Sequence, residues 1–549
     1  MVADRLIGVG VSPGQAVGPV VRVSDPVPEP AAEPAPEDLE AEAARIQPAA
    51  EVVAEQLRRL AAAATGDVRS VLETTALMAV DPSLVREAEQ LVRTRSLPAP
   101  RAVYEAAGGI TAALEAAGGY LAERVRDVED VRDRVVAELL GIDPPGVPEL
   151  TGPSVLVARD LAPADTAALD PDLVLALVTE EGGPTSHTAI LARSLGIPAV
   201  VACRGVLDLG AERLSVDGDT GVVERVPSSV PTRAATRDDQ QQWSGEGGTR
   251  DGVRVPLLAN VGKPEEARSA VEAGAEGVGL FRTEFCYLSA PTEPGVDEQR
   301  AAYAQVLRAF AGKRVIVRTL DSGADKPLPF LGTEAEPNPA LGVRGIRLSR
   351  RLTGVLDRQL EAIAAAAADS GADVSVMAPM VATPEEAAWF AARVRAAGLP
   401  RAGVMIEVPA AALLAEEVLA AVDFASLGTN DLAQYLFAAD RQLGAVAALN
   451  DPWQPGLLRV VELVGRAGAE TGRPVGVCGE AAADPLLACV LVGLGVNSLS
   501  MNPVALSRVG AMLATVSLDQ CQDAAHAARS ADDPATARAA ARAVLGTVS

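Results

Sequence analysis

A chain of 549 residues is too long for a single hydrophobic core and calls for two or three domains; with hydrophobic residues at 49% but aromatics at only 3%, those cores must be built mainly from Ala, Val and Leu. The formal net charge of −25 argues against a nucleic-acid or anionic-membrane partner, since both reward Lys and Arg, and most acidic surfaces simply maintain solubility. No apolar run approaches the roughly 20 residues that span a bilayer, the N-terminus MVADRLIGVG lacks the marks of a secretory signal, the cysteines form no CxxC pair, and the two histidines, His187 and His526, nearly exclude a histidine-built zinc site; a soluble, cytoplasmic, multidomain protein is expected.

In chain order, residues 5–23 (RLIGVGVSPGQAVGPVVRV) are Val- and Gly-rich with turn signals and read as a short β element. A Pro/Glu/Ala stretch over residues 26–37 reads as a linker. From Leu39 to about Leu140 the composition shifts to Ala, Glu, Arg and Leu, and the spacing predicts amphipathic helices over 51–64, 67–80 and 121–140. That block is long enough to be its own domain. After Pro144 and Pro145, short β runs return at 155–158, 173–178, 199–202 and 214–216, with a helix-like segment over 187–195 between two of them. One α/β domain, residues 1–22 with 144–226, is therefore expected, with the helical block, residues 23–143, inserted into it. Residues 227–250 are polar with Pro and Gly and read as an interdomain linker.

Eight β-type runs follow, at 253–260, 277–281, 314–320, 374–379, 403–408, 423–428, 474–477 and 497–501. Helical segments such as 264–273, 385–397 and 457–471 lie between them. This alternation over residues 251–549 predicts a (β/α)8 TIM barrel, whose working groups gather at the C-terminal ends of the strands. Those ends carry Arg282 with Glu284, Arg318 with Asp321, Glu407, Asn430 with Asp431, and Cys478 with Glu480. A chance pattern would scatter such groups equally over the opposite ends.

The segment Gly182-Gly183-Pro184-Thr185-Ser186-His187-Thr188 joins a predicted strand to a predicted helix. Thr185 and Ser186 suit a helix cap, and unpaired N–H groups at a helix start attract phosphate. The same field disfavours imidazolium and keeps the His187 ring neutral and nucleophilic. Thr188 can donate a further hydrogen bond to a phosphate. A lone histidine beside a turn is otherwise most simply a packed structural residue.

The wider string GGPTSHTAILARSLGIPAV closely resembles the phosphohistidine signature of enzyme I of the phosphoenolpyruvate:sugar phosphotransferase system, shared with pyruvate phosphate dikinase and phosphoenolpyruvate synthase. The segments GVGLFRTEF, VIVRTLDSGADK, NPALGVRGIR, GVMIEVPAA, FASLGTNDLAQY, AADRQ and PVGVCGEAA resemble the enzyme I barrel in order and spacing, and YLAERVRDVEDVRDRV extends the likeness over nearly the whole chain. The resemblance implies a swivelling phosphohistidine α/β domain with an inserted helical domain, followed by a phosphoenolpyruvate-binding barrel. It implies that His187 carries the phosphoryl group, that Arg282, Arg318, Asn430, Asp431 and Arg441 bind substrate, and that Arg344 and Lys326 lie near the pocket. It further implies Mg2+ on Glu407 and Asp431, and Cys478 as the proton donor to the enolate. The implied partners are the phosphocarrier protein HPr, docking on the helical block, and a second copy of the chain through the barrel.

These residue types suit that chemistry. The planar fork of arginine binds oxyanions in pairs, Mg2+ prefers oxygen ligands and often takes one or two carboxylates, and a thiol can act as general acid. The plain alternatives are surface arginines, solvated loop acids and a buried structural cysteine, the last being the reading for Cys203, Cys286, Cys489 and Cys521. One departure stands out: many family members have Gly-His where this chain has Thr74-Thr75, and Leu77 and Met78 beside it suit either docking or core packing. A dikinase or synthase would need a nucleotide-binding domain for which neither length nor a Walker-type loop is present. A silent phosphoenolpyruvate sensor would not need His187, Glu407, Asp431 and Cys478 together.

Overall fold

The computed structural model covers residues 1–549 and describes all of them except 1–4, 13, 24–26, 64–65, 118–124, 143–145, 149, 162–168, 170–171, 183–187, 190–191, 193–194, 219, 233–242, 244, 288–289, 291, 324–327, 333–335, 442 and 547–549. Two compact units result, residues 1–238 and 239–549.

The first unit is built on strands β1 (Arg5–Ile7), β2 (Val9–Ser12), β3 (Gln15–Arg22), β4 (Ser154–Ala158), β5 (Val174–Thr179), β6 (Ala199–Val201), β7 (Arg213–Asp217) and β8 (Val222–Arg225). They form one sheet in the order β1-β8-β7-β3-β4-β5-β6-β2. The run β3 to β6 is parallel, with β7, β8 and β1 added antiparallel on one side and β2 on the other. A parallel centre must be covered on both faces, and β4 and β5 are accordingly buried at every residue. Alternate residues serve the two faces: Val155, Val157, Ala176 and Val178 enter one apolar cluster, and Leu156, Ala158 and Leu177 the other. The expected single β element at residues 5–23 is in fact three strands, and the first two lie at opposite edges of the sheet with only Gly8 between them. The edges meet there: Gly8 N–H donates to Gly221 O at 2.9 Å, and a Cβ on Gly221 would lie 2.2 Å from Gly8 O.

Between β3 and β4 the chain makes helices Leu39–Ala43, Ile46–Ala63, Gly66–Ala79, Pro82–Arg95, Ala99–Ala117 and Val125–Leu140. Asp38 and Asp81 cap two of them, the second followed by Pro82 at the first helical position, where its missing N–H costs nothing. Leu57, Leu72, Val92, Val103 and Val135 fill their common core. The Pro-rich stretch at 26–37 is not a detached linker. Val27 is buried in this helical core, and Arg101 donates to Pro30 O at 3.1 Å and pairs with Glu29. Buried Val27 and the two Arg101 contacts hold a segment that forms no regular structure.

The second unit is a closed barrel of eight parallel strands: β9 (Leu257–Val261), β10 (Gly277–Arg282), β11 (Arg314–Arg318), β12 (Asp373–Ala378), β13 (Ala402–Ile406), β14 (Phe424–Leu427), β15 (Val475–Val477) and β16 (Ser498–Met501), closing β16 onto β9. Outward residues such as Val315, Val317, Val404 and Ile406 pack on the surrounding helices, and Leu280, Ile316, Met377, Met405 and Phe424 fill the interior. The first strand starts later than its expected range. Residues 253–256 precede it, with Pro256 removing a ladder donor, and Thr249 N–H donates to Val253 O at 3.0 Å in a small hairpin. The end of the expected linker at 227–250 also belongs to this unit, for Gly247 N–H is held by Glu276 at 2.8 Å and Arg250 N–H by Val516 O at 2.8 Å.

Candidate active site

Strand alternation aims the site. Ile316 points into the barrel, so Arg318, two residues on, points into its mouth; Met405 does the same for Glu407, and Leu280 for Arg282. Val475 and Val477 face the helices, which turns Cys478 inward against Leu280 and Met405. Asn430 and Asp431 stand in the first turn of helix Thr429–Leu436, immediately after β14. Arg344 arrives from the long connection between β11 and β12. It is followed by Gly345 at φ 56°, a left-handed turn that favours glycine and brings a would-be Cβ within 2.9 Å of Met380 Cβ.

Glu407 is wholly buried. Its Oε1 accepts from Met380 N–H at 2.6 Å, and among the described residues its Oε2 has no hydrogen-bond donor. Asp431 Oδ1, also buried, likewise lacks a hydrogen-bond donor and stands 3.5 Å from Arg344 Nη1. Burial pushes the Glu407 carboxyl up to about 7, with Asp431 and Asp321 adding to the rise and Arg318 and Arg344 opposing it. A wholly buried carboxylate with one oxygen lacking a donor, next to a second acid, is a costly arrangement unless a cation reaches it. No group of three or more His, Cys, Asp and Glu among the described residues is arranged for a metal. Two carboxylates of this kind fit an ion that takes its remaining ligands from substrate oxygens and water, as Mg2+ often does.

Arg318 Nη2 donates to Glu284 Oε1 at 3.0 Å, and Nη1 lies 3.3 Å from Asp321 Oδ2. Burial works against its charge, but Glu284, Asp321 and Glu407 outweigh burial and hold the guanidinium cationic. Arg282 reaches solvent at the mouth yet sits deep in the concavity, where desolvation and then Arg318 lower its proton affinity. Arg441 Nη1 lies 3.5 Å from Asp431 Oδ2. Asn430 Oδ1 accepts from Glu480 N–H at 3.3 Å, which leaves its NH2 as the donating end. Burial pushes the Cys478 thiol up to about 11, partly offset by a hydrogen bond with Ser426, so the sulfur carries a proton at neutral pH.

Arg282, Arg318, Arg344, Glu407, Asn430, Asp431, Arg441 and Cys478 thus all belong to the mouth of one barrel. His187 with Thr185 and Ser186, and Lys326, lie outside the described residues. Thr188 is helical and buried, and its hydroxyl donates to Asp160 Oδ1 at 3.2 Å. Its one proton is engaged with that carboxylate here. In the helical block, Leu77 is 66% exposed, whereas Met78 packs against the helical core. All five cysteines are unpaired thiols. Two acids that sequence reasoning noticed at strand ends without giving them work, Glu284 and Asp321, prove to be the partners of the arginines.

Three stretches that together make up most of the chain fall in one class, the phosphoenolpyruvate-utilising enzymes. Residues 7–124 match the description "PEP-utilising enzyme, N-terminal", 150–221 "PEP-utilising enzyme, mobile domain" and 237–518 "PEP-utilising enzyme, PEP-binding domain". Curated relatives narrow this. A "Phosphoenolpyruvate-protein phosphotransferase" of Streptomyces coelicolor is 53% identical over 98% of this chain and 99% of its own. One of Haloferax volcanii, with the same name, is 40% identical over 97% of this chain and 98% of its own. The chain belongs to the phosphoenolpyruvate-protein phosphotransferase family, enzyme I of the phosphotransferase system. It is a phosphotransferase that uses phosphoenolpyruvate, and none of its described helices is long and apolar enough to cross a membrane.

Proposed function

We propose that this protein moves the phosphoryl group of phosphoenolpyruvate onto its own His187, releases pyruvate, and then passes the group to a histidine of the phosphocarrier protein HPr in the cytoplasm. The observation that carries the reading is the pair Glu407 and Asp431: both are buried and interact electrostatically, Glu407 Oε2 has no hydrogen-bond donor among the described residues, and Arg344 and Arg441 lie 3.5 Å from Asp431. Such a pair fits Mg2+ together with a substrate rich in oxyanions.

The arginines bind the phosphate and carboxylate of the substrate and stabilise the charge that spreads over the phosphoryl oxygens during transfer. The NH2 of Asn430 and the guanidinium of Arg441 fix the orientation of the substrate from the β14 side, and Lys326 keeps the substrate-binding role that the family resemblance implies. Glu407 and Asp431 would hold the Mg2+, which when bound neutralises phosphoryl and enolate charge. His187 attacks phosphorus through a ring nitrogen as the P–O bond to the enol oxygen breaks. The methylene carbon of the resulting enolate takes a proton from the Cys478 thiol, giving pyruvate, and the thiolate recovers its proton from water. The high proton affinity of this buried sulfur suits an acid that must be loaded at neutral pH. The helical block, with Leu77 on its surface, is the proposed docking face for HPr, and the barrel the proposed contact in a homodimer.

Incubating the full chain with labelled phosphoenolpyruvate and Mg2+ tests the reading. Acid-labile label on His187, absent in His187→Ala and discharged by HPr, is expected. Label on a serine or aspartate, or a strict need for ATP, overturns it.

A further inference from the structure

Two carboxylates at the mouth take no part in the chemistry above. Asp321 is 0% exposed, yet it follows β11 at the open end of the barrel, where a buried acid would repel an anionic substrate. Its two oxygens accept from Arg344 Nη2 at 3.0 and 3.2 Å, and Oδ2 also lies 3.3 Å from Arg318 Nη1. Glu284 Oε1 accepts from Arg318 Nη2 at 3.0 Å and from the Asp321 backbone N–H at 2.8 Å. The result is a line of alternating charge: Glu284, Arg318, Asp321, Arg344, Asp431, Arg441, with each neighbour 3.0–3.5 Å from the next.

The backbone under this line is fixed from behind. Gln359 accepts from Leu320 N–H at 3.0 Å and donates to Thr283 Oγ1 at 3.1 Å and Tyr303 Oη at 3.2 Å, while Thr283 Oγ1 donates to Arg318 O at 2.8 Å. The ends of β10 and β11 are thereby tied to each other and to helix Thr353–Ser370.

A guanidinium offers donors on several edges of one plane, so an anion seated on one edge sets which edge faces the substrate. Two buried guanidiniums also repel, and a single acid between them holds both in place. We propose that Asp321 is a positioning residue for the phosphoryl transfer: it touches neither phosphoenolpyruvate nor metal, and it orients Arg318 and Arg344 toward the transferring group, with Glu284 as its support. This rests on the reading of the barrel mouth as the phosphoenolpyruvate site.

The same acid could be a mere fold-holding ion pair, and the two roles differ in what they move. Asp321→Asn keeps size and one acceptor oxygen but removes one negative charge from the site. Simple charge counting then leaves binding of phosphoenolpyruvate unchanged or tighter. Misdirected guanidiniums instead slow the chemistry, where a misplacement of about 1 Å can cost roughly 10²-fold. The test uses the full chain with Mg2+. Single-turnover phosphorylation from phosphoenolpyruvate is expected to slow by about 10²-fold in Asp321→Asn. Equilibrium binding, read in a His187→Ala background, should stay within about twofold or tighten. In an Arg318→Lys background the further change to Asn should cost well under tenfold, because residues that act as a unit are not additive. A rate within about threefold of the parent, a loss wholly in affinity, or full additivity with Arg318→Lys overturns the proposal. If thermal unfolding shows that Asp321→Asn does not fold, Glu284→Gln, at a half-buried position, takes its place with an expected loss of about tenfold in rate and none in affinity; an unchanged rate overturns the proposal. Absence of any phosphorylation in the parent protein would instead remove the functional reading itself, and this inference with it.

Discussion

Glu407→Gln is expected to make the metal-free barrel more stable while disabling it. The carboxyl is wholly buried, one oxygen has no donor among the described residues, and its proton affinity is raised from the ordinary 4.5 to about 7. A rise of that size corresponds to roughly 3 kcal/mol of cost for holding the charged form in the fold, at about 1.4 kcal/mol per pH unit. The sign follows from proton counting. Below pH 4.5 the carboxyl is protonated folded or unfolded and the cost is absent; between 4.5 and about 7 the unfolded chain sheds a proton that the fold retains, so stability falls as pH rises; above 7 the full cost applies. Glutamine keeps the acceptor for Met380 N–H and carries no charge. Thermal unfolding at pH 8 without Mg2+ should therefore shift upward by about 5 °C, with no shift at pH 4. Mg2+ should raise the unfolding temperature of the parent protein but not of the variant, and phosphorylation should fall by more than about 10²-fold. An unchanged or lower unfolding temperature at pH 8, or an equal Mg2+ shift in both proteins, refutes the account of this carboxylate.

Cys478→Ala should leave phosphoenolpyruvate binding within about threefold yet slow pyruvate formation about 10²-fold in a coupled pyruvate assay, since the acid is lost and the pocket only slightly enlarged. Gly428→Ala would set a methyl 2.7 Å from Glu407 Oε2, so a weakening of Mg2+ affinity of at least tenfold is expected by calorimetry, with the fold retained. Cys203 is buried and its thiol is pushed up to about 11 from 9.0 by desolvation and then by Glu180. Between those values the unfolded thiol ionises and the folded one does not, so the first unit should lose up to about 1.4 kcal/mol per pH unit across that window, a slope that Cys203→Ala should reduce in denaturant titrations. Thr383 and Glu386 form a reciprocal cap on helix Pro384–Ala396, and Thr383→Ala should cost about 1 kcal/mol with activity unchanged.

Apolar alternation was the legible part of this fold. A run such as VIVR states its own orientation, because the residue two places beyond an inward Ile316 must also face inward, and Arg318 at the strand end then has only the mouth to enter. The same alternation turns Glu407 and Cys478 into the mouth, two residues that the sequence marked only by their place at strand ends and by family resemblance. Partnership was not legible. Nothing in the spacing of Asp321 shows that its carboxylate grips Arg344, which arrives through a connection too irregular for periodicity to follow. The Pro-rich stretch misled because composition reports backbone propensity, and the docking of Val27 and Pro30 depends on a surface formed by distant helices. At 253–256 the β-rich composition was real, but a proline and a hairpin contact claimed the backbone donors first. Only the fold shows that Asp160 lies within reach of the Thr188 proton.

The helical block leaves the sheet after β3 and returns at β4, and these are parallel neighbours, with Arg22 opposite Val157. Parallel neighbours demand a crossover whatever its content. The departure and return points are therefore pinned about 10 Å apart along the strands by a ladder of three residue pairs that the helices do not help to form. Any compact bundle whose two ends meet that gap can stand in the same place, so its outer surface can change while the strands beneath it keep their register.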